Sequence, residues 1–128
     1  MRIHVTLAQN SAPWDLDMEL FAGYLAEFRA DARSSLRTQG TGEYLSFDLA
    51  LGPDGRRCEG GYFPQQQLIL DDGTIEGWAP IIEWFLGLLP FDAAADIFLE
   101  SASVPRELPR NATGPDIARL LTALDASS

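Results

Sequence analysis

The chain has 128 residues, of which 46% are hydrophobic and 22% are charged. These proportions are typical of one soluble globular domain, so we expect residues 1–128 to form a single domain. The chain carries 9 basic residues, all of them arginine, against 19 Asp and Glu residues, which gives a formal net charge of −10. Binding to nucleic acid or to an anionic membrane surface is disfavoured, because both need positive charge on the protein.

The rare residue types narrow the chemistry further. Because the chain has no lysine, phosphate loops of the Walker type and Schiff-base chemistry are excluded. Cys58 and His4 are the single cysteine and the single histidine, so neither a Cys/His zinc site nor an intrachain disulfide is possible. Nothing in the sequence brings these two residues together as a thiolate dyad. We therefore predict a protein with no catalytic set, no metal and no cofactor.

The apolar runs of the chain are short. None approaches the core of a signal peptide or the roughly 20 residues of a membrane-spanning helix, and the first residues open directly into a strand-like alternation. The cysteine content suits a reducing compartment. We expect a cytoplasmic protein that does not bind membranes.

Two periodic segments open the chain. Residues 2–8 alternate between apolar and polar side chains, which predicts a half-buried strand. Across residues 14–36, apolar side chains recur at the spacing of one helical face, which predicts the longest helix of the chain. Acidic residues crowd its start and Arg29, Arg33 and Arg37 crowd its end, a placement that complements the helix dipole.

The middle of the chain predicts a hairpin. Residues 45–51 alternate cleanly, and residues 52–55, Gly-Pro-Asp-Gly, have the composition of a turn. Residues 56–70 should therefore return as the partner strand. That return is irregular, because Gly60-Gly61 suggests a bulge and Pro64 places the strand at an edge or breaks it in two.

The last third of the chain predicts two helices and one strand. A helix that is apolar almost all round follows the Asp71-Asp72-Gly73 turn, with Pro80 near its first turn and Pro90 at its end. Residues 94–100 fit a last strand. A loop with prolines then leads to Thr113-Gly114-Pro115-Asp116, which resembles a capping box and starts a final helix.

The predicted order of elements is β-α-β-β-α-β-α. We assign the chain to the α+β class, as a single-domain sandwich in which helices pack on a largely antiparallel sheet. This order contains the split β-α-β unit of ferredoxin-like sandwiches, with one helix added at the end. A curled antiparallel sheet around the long first helix is the alternative.

Acidic residues are concentrated in one part of the chain. Residues 58–105 contain eight carboxylates and no basic residue. One interpretation is that the charge only keeps a small protein in solution, and turn composition explains Asp71, Asp72 and Glu76 without a metal ion. The functional interpretation is a negative face that steers and docks a basic partner, with nearby aromatic side chains as anchors.

In these respects the chain resembles the small acidic immunity proteins with which bacteria neutralise their own secreted toxins. The resemblance rests on the single small domain, the acid-only stretch 58–105, the missing catalytic set and a short terminal helix over residues 116–124. It implies a non-catalytic protein that binds a cognate basic toxin, such as a nuclease or a deaminase, and blocks its active site or substrate surface. The residues expected to contact the toxin are Asp71, Asp72, Glu76, Glu83, Asp92, Asp96 and Glu100.

Two other functions stay open. A secretion or assembly chaperone would also be small, acidic and non-catalytic, but it should be dimeric and expose an apolar groove near Trp84 and Leu88. A small ferredoxin-like enzyme without a cofactor would need a closed apolar pocket lined by His4 or by a tyrosine. The candidate tyrosines are Tyr24, Tyr44 and Tyr62.

Overall fold

The computed structural model describes residues 2–40, 42–52, 54–101 and 104–126. These residues contain seven strands and three helices. In chain order the elements are β1 (Arg2–Leu7), α1 (Met18–Phe28), β2 (Arg33–Gln39), β3 (Gly42–Leu51), β4 (Arg56–Phe63), β5 (Gln67–Asp71), α2 (Ile75–Leu88), β6 (Ala95–Leu99), β7 (Arg106–Leu108) and α3 (Gly114–Ala126). The strands form one sheet, and neighbouring strands are antiparallel throughout it. The predicted α+β class, with helices packed on an antiparallel sheet, is confirmed.

The order of the strands across the sheet is β2-β3-β4-β5-β1-β6-β7. Because β5 is antiparallel to both β1 and β4, these two strands run parallel with one strand between them. This is the split β-α-β arrangement. The ferredoxin-like order is thus present in the four strands β4-β5-β1-β6, with α1 between β1 and β4 along the chain and α2 between β5 and β6. The hairpin β2-β3 extends one edge of these four strands, and β7 extends the other.

Burial follows the two-residue period of the strands. Alternate side chains of the inner strands are buried in the core, whereas the residues between them point the other way. The ring of Phe21 in α1 stacks on Tyr62 with the ring centroids 4.5 Å apart, and it also contacts Phe47 and Phe85. Buried side chains of all three helices belong to this core. The helices therefore cover one side of the sheet and leave the other side open.

The first helix is shorter than predicted. It begins after Asp17, whose side chain accepts a hydrogen bond from the backbone N–H of Leu20, and it ends at Phe28. Residues 33–36, predicted to finish this helix, belong to the edge strand β2 instead. The helix-dipole explanation of Arg29, Arg33 and Arg37 is therefore wrong, because the last two arginines lie on a strand.

Strand β2 forms without burying any of its side chains. All seven of its residues are exposed, so it lacks the apolar alternation by which a strand is usually predicted. Backbone pairing along its whole length and a few polar contacts hold it to β3 instead. The carboxylate of Asp31, just before the strand, accepts a hydrogen bond from the N–H of Ala50 at 2.6 Å, and Arg33 in the strand contacts Asp48 at 3.1 Å.

The hairpin partner of β3 is only partly as predicted. The chain breaks after Phe63 into β4 and β5, as Pro64 indicated, but β4 lies inside the sheet and not at its edge. Gly60 and Gly61 keep a regular register with both neighbouring strands, so the predicted bulge is wrong. Glycine is required at position 60 by the packing of the core, because a Cβ atom there would lie 2.5 Å from Cζ of Phe47.

The two later helices begin at side-chain caps. Thr74 accepts a hydrogen bond from the N–H of Gly77 at 3.0 Å, so α2 starts ahead of Pro80, which lies inside the helix. Thr113 and Asp116 exchange side-chain to backbone hydrogen bonds, which confirms the capping box of α3. The segment predicted as a loop before α3 contains the short strand β7.

Replacing Gly60 by alanine tests the contact with Phe47. The added methyl group forces the buried ring aside, and overpacking of this kind costs about 1–3 kcal/mol of unfolding free energy. Gly23→Ala in α1 is the matched control, because a Cβ atom there meets nothing within 4 Å and the change should stabilise by about 0.5–1 kcal/mol. Urea unfolding measures both variants, and a Gly60→Ala protein as stable as the unsubstituted chain would contradict this packing.

Candidate functional site

The side of the sheet away from the helices, termed the open face, carries its side chains in rows across the strands. A charged row consists of Glu100, Arg2, Asp71, Glu59, Asp48 and Arg33, on or at the ends of successive strands. The next row consists of Phe98, His4, Ile69, Gly61 and Ser46. A charged row thus lies directly beside a row that contains no Asp, Glu or Arg.

A groove of about 260 Å³ crosses the open face. Gly61 and Ile69 are among its lining residues, and Tyr44 and Phe63 form an aromatic wall, with ring centroids 4.6 Å apart and planes 12° apart. Both rings reach over Gly61, where a Cβ atom would lie 3.3 Å from Phe63 and 3.4 Å from Tyr44. The absence of a side chain at Gly61 therefore gives the two rings room to lie close to the sheet.

The opposite wall of the groove is charged. Nε of Arg2 lies 2.5 Å from Oδ1 of Asp71, and Nη1 of Arg2 lies 3.4 Å from Oε1 of Glu100. The hydrogen bond to Asp71 and the two negative charges raise the pKa of the Arg2 guanidinium. Glu59 is exposed on the same wall, and within the described residues no cation lies within 4.0 Å of its carboxylate.

Asp48 stands farther along the charged row and is held by two arginines. Arg33 lies 3.1 Å from Oδ1 of Asp48, and Nε of Arg57 donates to the same oxygen. Partial burial raises the pKa of Asp48, but the hydrogen bonds from Arg57 and Arg33 outweigh it and hold the pKa below its usual value. The N–H of Ala50, which donates to the side chain of Asp31, lowers the pKa of that carboxyl.

His4 lies on the open face, on the polar side of its strand as predicted. Its ring stacks on Phe98 with centroids 4.6 Å apart, and its Nδ1 lies 3.1 Å from Oε1 of Gln67. Its buried Nε2 has no hydrogen-bond partner among the described residues, and Oε1 of Glu100 lies 3.9 Å from it. Cys58 is buried in the core on the helix side, so the sheet itself separates the His4 and Cys58 side chains, which cannot form a dyad.

Three of the seven acidic residues predicted to contact a partner come together. Asp71, Asp72 and Glu100 line a second depression beyond the ends of β5 and β6, together with Arg2 and Asp125. Asp71 and Glu100 are already paired with Arg2, whereas Asp72 is exposed in the turn before α2. This part of the predicted surface therefore exists as one cluster, termed the acidic rim.

The other four predicted residues do not line this depression. Glu76 is exposed in the first turn of α2, and Asp96 is half-buried on the open face. Glu83 accepts a hydrogen bond from the backbone N–H of Gly114 and so fixes the start of α3. Asp92 is exposed before β6, at the end of that strand opposite to the acidic rim. The acid-only stretch is thus not one continuous face.

Several groove residues, among them Arg2, Phe63 and Ile69, are missing from the sequence-based prediction, and Glu59 enters it only as a member of the acid-only stretch. The signal that points to them is strand alternation. Phe63 and Ile69 occupy positions of β4 and β5 that face away from the core. Apolar residues that lie close together on the solvent side of a sheet form a patch, and such a patch is a candidate for a binding surface.

The residues considered for other chemistry are dispersed. Tyr62 is buried and donates its hydroxyl to the carbonyl of Leu16 at 2.5 Å, Tyr24 is exposed on α1, and Tyr44 belongs to the groove. Residues 2–40, 42–52, 54–101 and 104–126 contain no group of three or more His, Cys, Asp or Glu side chains arranged to hold a metal ion.

The helix side exposes an apolar patch, formed by Leu20, Tyr24 and Phe28 of α1 with Trp84 and Leu88 of α2. The first three are 45%, 40% and 43% exposed. The Phe28 ring stacks on Trp84 with centroids 5.2 Å apart, and the two line a shallow depression with Tyr24 and Leu88. Apolar surface is therefore accessible near Trp84 and Leu88, where the chaperone alternative expects it.

Comparison with known proteins identifies no relative of the chain. No protein-family model matches it, and no curated protein and no solved structure does so either. Within the described part of the chain, none of the helices is both long enough and apolar enough to cross a lipid bilayer. Function is therefore inferred from the geometry and charge of the molecule alone.

Acidification should destabilise the fold through Asp31 and Asp48. Both folded-state pKa values lie below the ordinary 3.8, so the charged carboxylates stabilise the folded chain at neutral pH. That contribution is lost as the pH falls below 3.8 and through the folded-state values. In a protein with Asp31→Asn and Asp48→Asn, thermal denaturation should show a lower Tm at neutral pH and a shallower fall of Tm on acidification.

The control for this pH profile is Asp92→Asn, which removes an exposed carboxylate that has no ion pair among the described residues. It should follow the profile of the unsubstituted chain. A double variant whose Tm falls with pH as steeply as that of the unsubstituted chain would contradict the stabilising role of the two carboxylates.

Proposed function

We propose that this chain is an immunity-type protein, a non-catalytic inhibitor that binds a basic bacterial toxin through an acidic surface. The observation that carries the proposal is the acidic rim at one end of the open face. Asp71, Asp72, Glu100 and Asp125 line one depression there, with Arg2 as the basic residue among them. A basic surface placed against this end of the sheet meets several carboxylates at once.

Most arginines of the chain are already engaged in contacts within the chain, which leaves an excess of negative charge on its surface. Five of them, within the described residues, lie within ion-pair distance of an Asp or Glu of the same chain: Arg2, Arg29, Arg33, Arg57 and Arg119. Arg110 donates to the carbonyl of Leu89 at 2.8 Å. Much of the positive charge is thus paired with carboxylates of the same chain. The surplus of carboxylates, which makes the net charge −10, is available to a basic partner.

A charge surplus of this kind acts on association more than on stability. The field of the whole chain steers a basic partner and raises the association rate, most strongly at low ionic strength. The groove and the acidic rim are open and polar, which suits the surface of another protein better than an enclosed small molecule.

Toxins that act on nucleic acids fit this surface. Nucleases and deaminases that work on nucleic acids need basic surfaces to meet phosphates, and such a surface is complementary to the acidic rim. We infer that the inhibitor acts in the cytoplasm, because a toxin of this class reaches its substrates there.

Toxin neutralisation tests the proposal directly. Tagged protein captures partners at low salt from a lysate of its native cells, and each retained polypeptide is then expressed in a test strain with and without this chain. We expect one basic polypeptide that binds in a one-to-one complex, stops growth when expressed alone and is harmless when the two are co-expressed. Empty capture, or a partner without effect on growth, would contradict the proposal.

A secretion or assembly chaperone is the second candidate, and the apolar patch on the helix side favours it. A chaperone would bind its client through Phe28 and Trp84 and would be dimeric. Native mass spectrometry distinguishes the two functions. A monomer supports the inhibitor, whereas a dimer that persists in the Phe28→Ala variant supports the chaperone, because its client surface is then separate from its dimer contact.

Neutralising carboxylates at and beside the acidic rim should slow binding of the partner. We expect Asp72→Asn, Glu76→Gln and Glu100→Gln together to lower the association rate constant about tenfold at low salt, with the difference closing as salt is added. Asparagine suits position 72 because the backbone there has a φ of 57°, which asparagine tolerates. Stopped-flow fluorescence measures the rates.

The matched control removes the same charge from exposed positions away from the acidic rim, namely Glu19→Gln, Glu27→Gln and Asp92→Asn. Its association rate should change far less. Equal slowing of the two triple variants would mean that only the net charge matters, which would contradict a localised docking surface.

A further inference from the structure

The charged row of the open face contains one position that is not neutralised. Asp71, Glu59 and Asp48 stand side by side on β5, β4 and β3. Like charges directly opposite each other destabilise a sheet. Asp71 and Asp48 are each held by arginines of the same chain, whereas no cation of the described residues lies within 4.0 Å of Glu59, which stands between them.

Glu59 also borders the groove that the aromatic wall closes on the other side. The Tyr44 and Phe63 rings lie over Gly61, two residues along β4 from Glu59. Positions two residues apart on one strand are separated by roughly 7 Å. A single extended side chain lying in the groove can therefore contact the ring surface and the carboxylate together.

The chemistry of the two walls selects a guanidinium. A planar guanidinium stacks on an aromatic ring while its edge donates two parallel hydrogen bonds to a carboxylate, whereas an ammonium is a compact, strongly hydrated charge. The groove wall already holds one such group, since Arg2 lies between Asp71 and Glu100 at 2.5 and 3.4 Å.

We propose that this groove is the docking position for an arginine side chain of the basic partner, with Glu59 as its counter-ion and the rings of Tyr44 and Phe63 as its stacking surface. The identity of the partner rests on the proposed function, whereas the chemistry of the groove rests on the geometry above. The incoming arginine supplies the cation that the charged row lacks at Glu59, as Arg2 does at Asp71.

Titration with small peptides tests the groove without the partner. The probe is a capped glycine-arginine-glycine tripeptide added to isotope-labelled protein, and matched tripeptides carry lysine or the neutral isostere citrulline. We expect amide shifts centred on Glu59, Gly61 and Ile69 with the arginine peptide, weaker binding of the lysine peptide and none of the citrulline peptide. Shifts spread over the whole surface, or equal affinity for arginine and lysine, would overturn the proposal.

Two variants assign the binding to the two walls. Glu59→Gln should weaken binding of the arginine peptide about fivefold, the upper range for an exposed ion pair, and Tyr44→Leu should weaken it and remove the preference for arginine over lysine. Glu19→Gln removes an exposed carboxylate on α1, away from the groove and the acidic rim, and should leave the affinity unchanged. If Glu59→Gln and Glu19→Gln bind the arginine peptide equally, Glu59 is not the counter-ion.

The stability of the free protein gives a second, independent readout. Because Glu59 stands between two carboxylates, Glu59→Gln should raise the Tm by about 2–4 °C, whereas Glu19→Gln should not. An unchanged or lowered Tm for Glu59→Gln would mean that repulsion between Glu59 and its two neighbouring carboxylates does not destabilise the sheet, and would overturn the inference.

Failure of the groove and failure of the proposed function give different results. If a toxin is captured and neutralised equally well by the Glu59→Gln and Tyr44→Leu variants, the inhibitor function stands and the groove is not its arginine site. If the arginine peptide binds the groove but no toxin is neutralised, the groove stands and the inhibitor function falls.

Discussion

Everything else in this structure depends on one constraint, which is that helices cover an antiparallel sheet on one side only. The two-residue period of the strands then buries Phe47 and Tyr62 against Phe21 and turns the alternate residues outward. Because none of the described helices covers those outward residues, they are free to form a row of charges beside a row that contains His4 and Phe98. The packing of the core thereby fixes the register that brings distant charges side by side.

The elements with a clear burial period could be predicted from the sequence. Strands β1, β3 and β6 alternate, and the Thr113 to Asp116 capping box marks the start of α3. Strand β2 could not be predicted, because none of its side chains is buried and the helical period of α1 continues into it. The requirement for glycine at position 60 comes from a ring on the neighbouring strand, and such a contact depends on register.

The candidate site, too, could be predicted from the sequence only in part. The net charge and the acid-only stretch indicate a negative surface, and Asp71 and Glu100 do lie on the open face. Composition does not show that Arg2 stands between them, 69 and 98 residues away along the chain. Nor does it show that Glu59 stands beside Asp71, because that neighbour depends on strand order. A surface built from cross-strand neighbours becomes visible only when the sheet is assembled.

The most direct test asks which side of the sheet meets the partner. Hydroxyl-radical footprinting of the chain, free and in complex with its captured partner, suits this question because aromatic side chains report on both sides. We predict that binding protects Tyr44, Phe63 and Phe98 on the open face, while Phe28 and Trp84 on the helix side are oxidised as fast as in the free chain. Protection of Phe28 and Trp84, with unchanged oxidation of the rings on the open face, would contradict this account of the molecule.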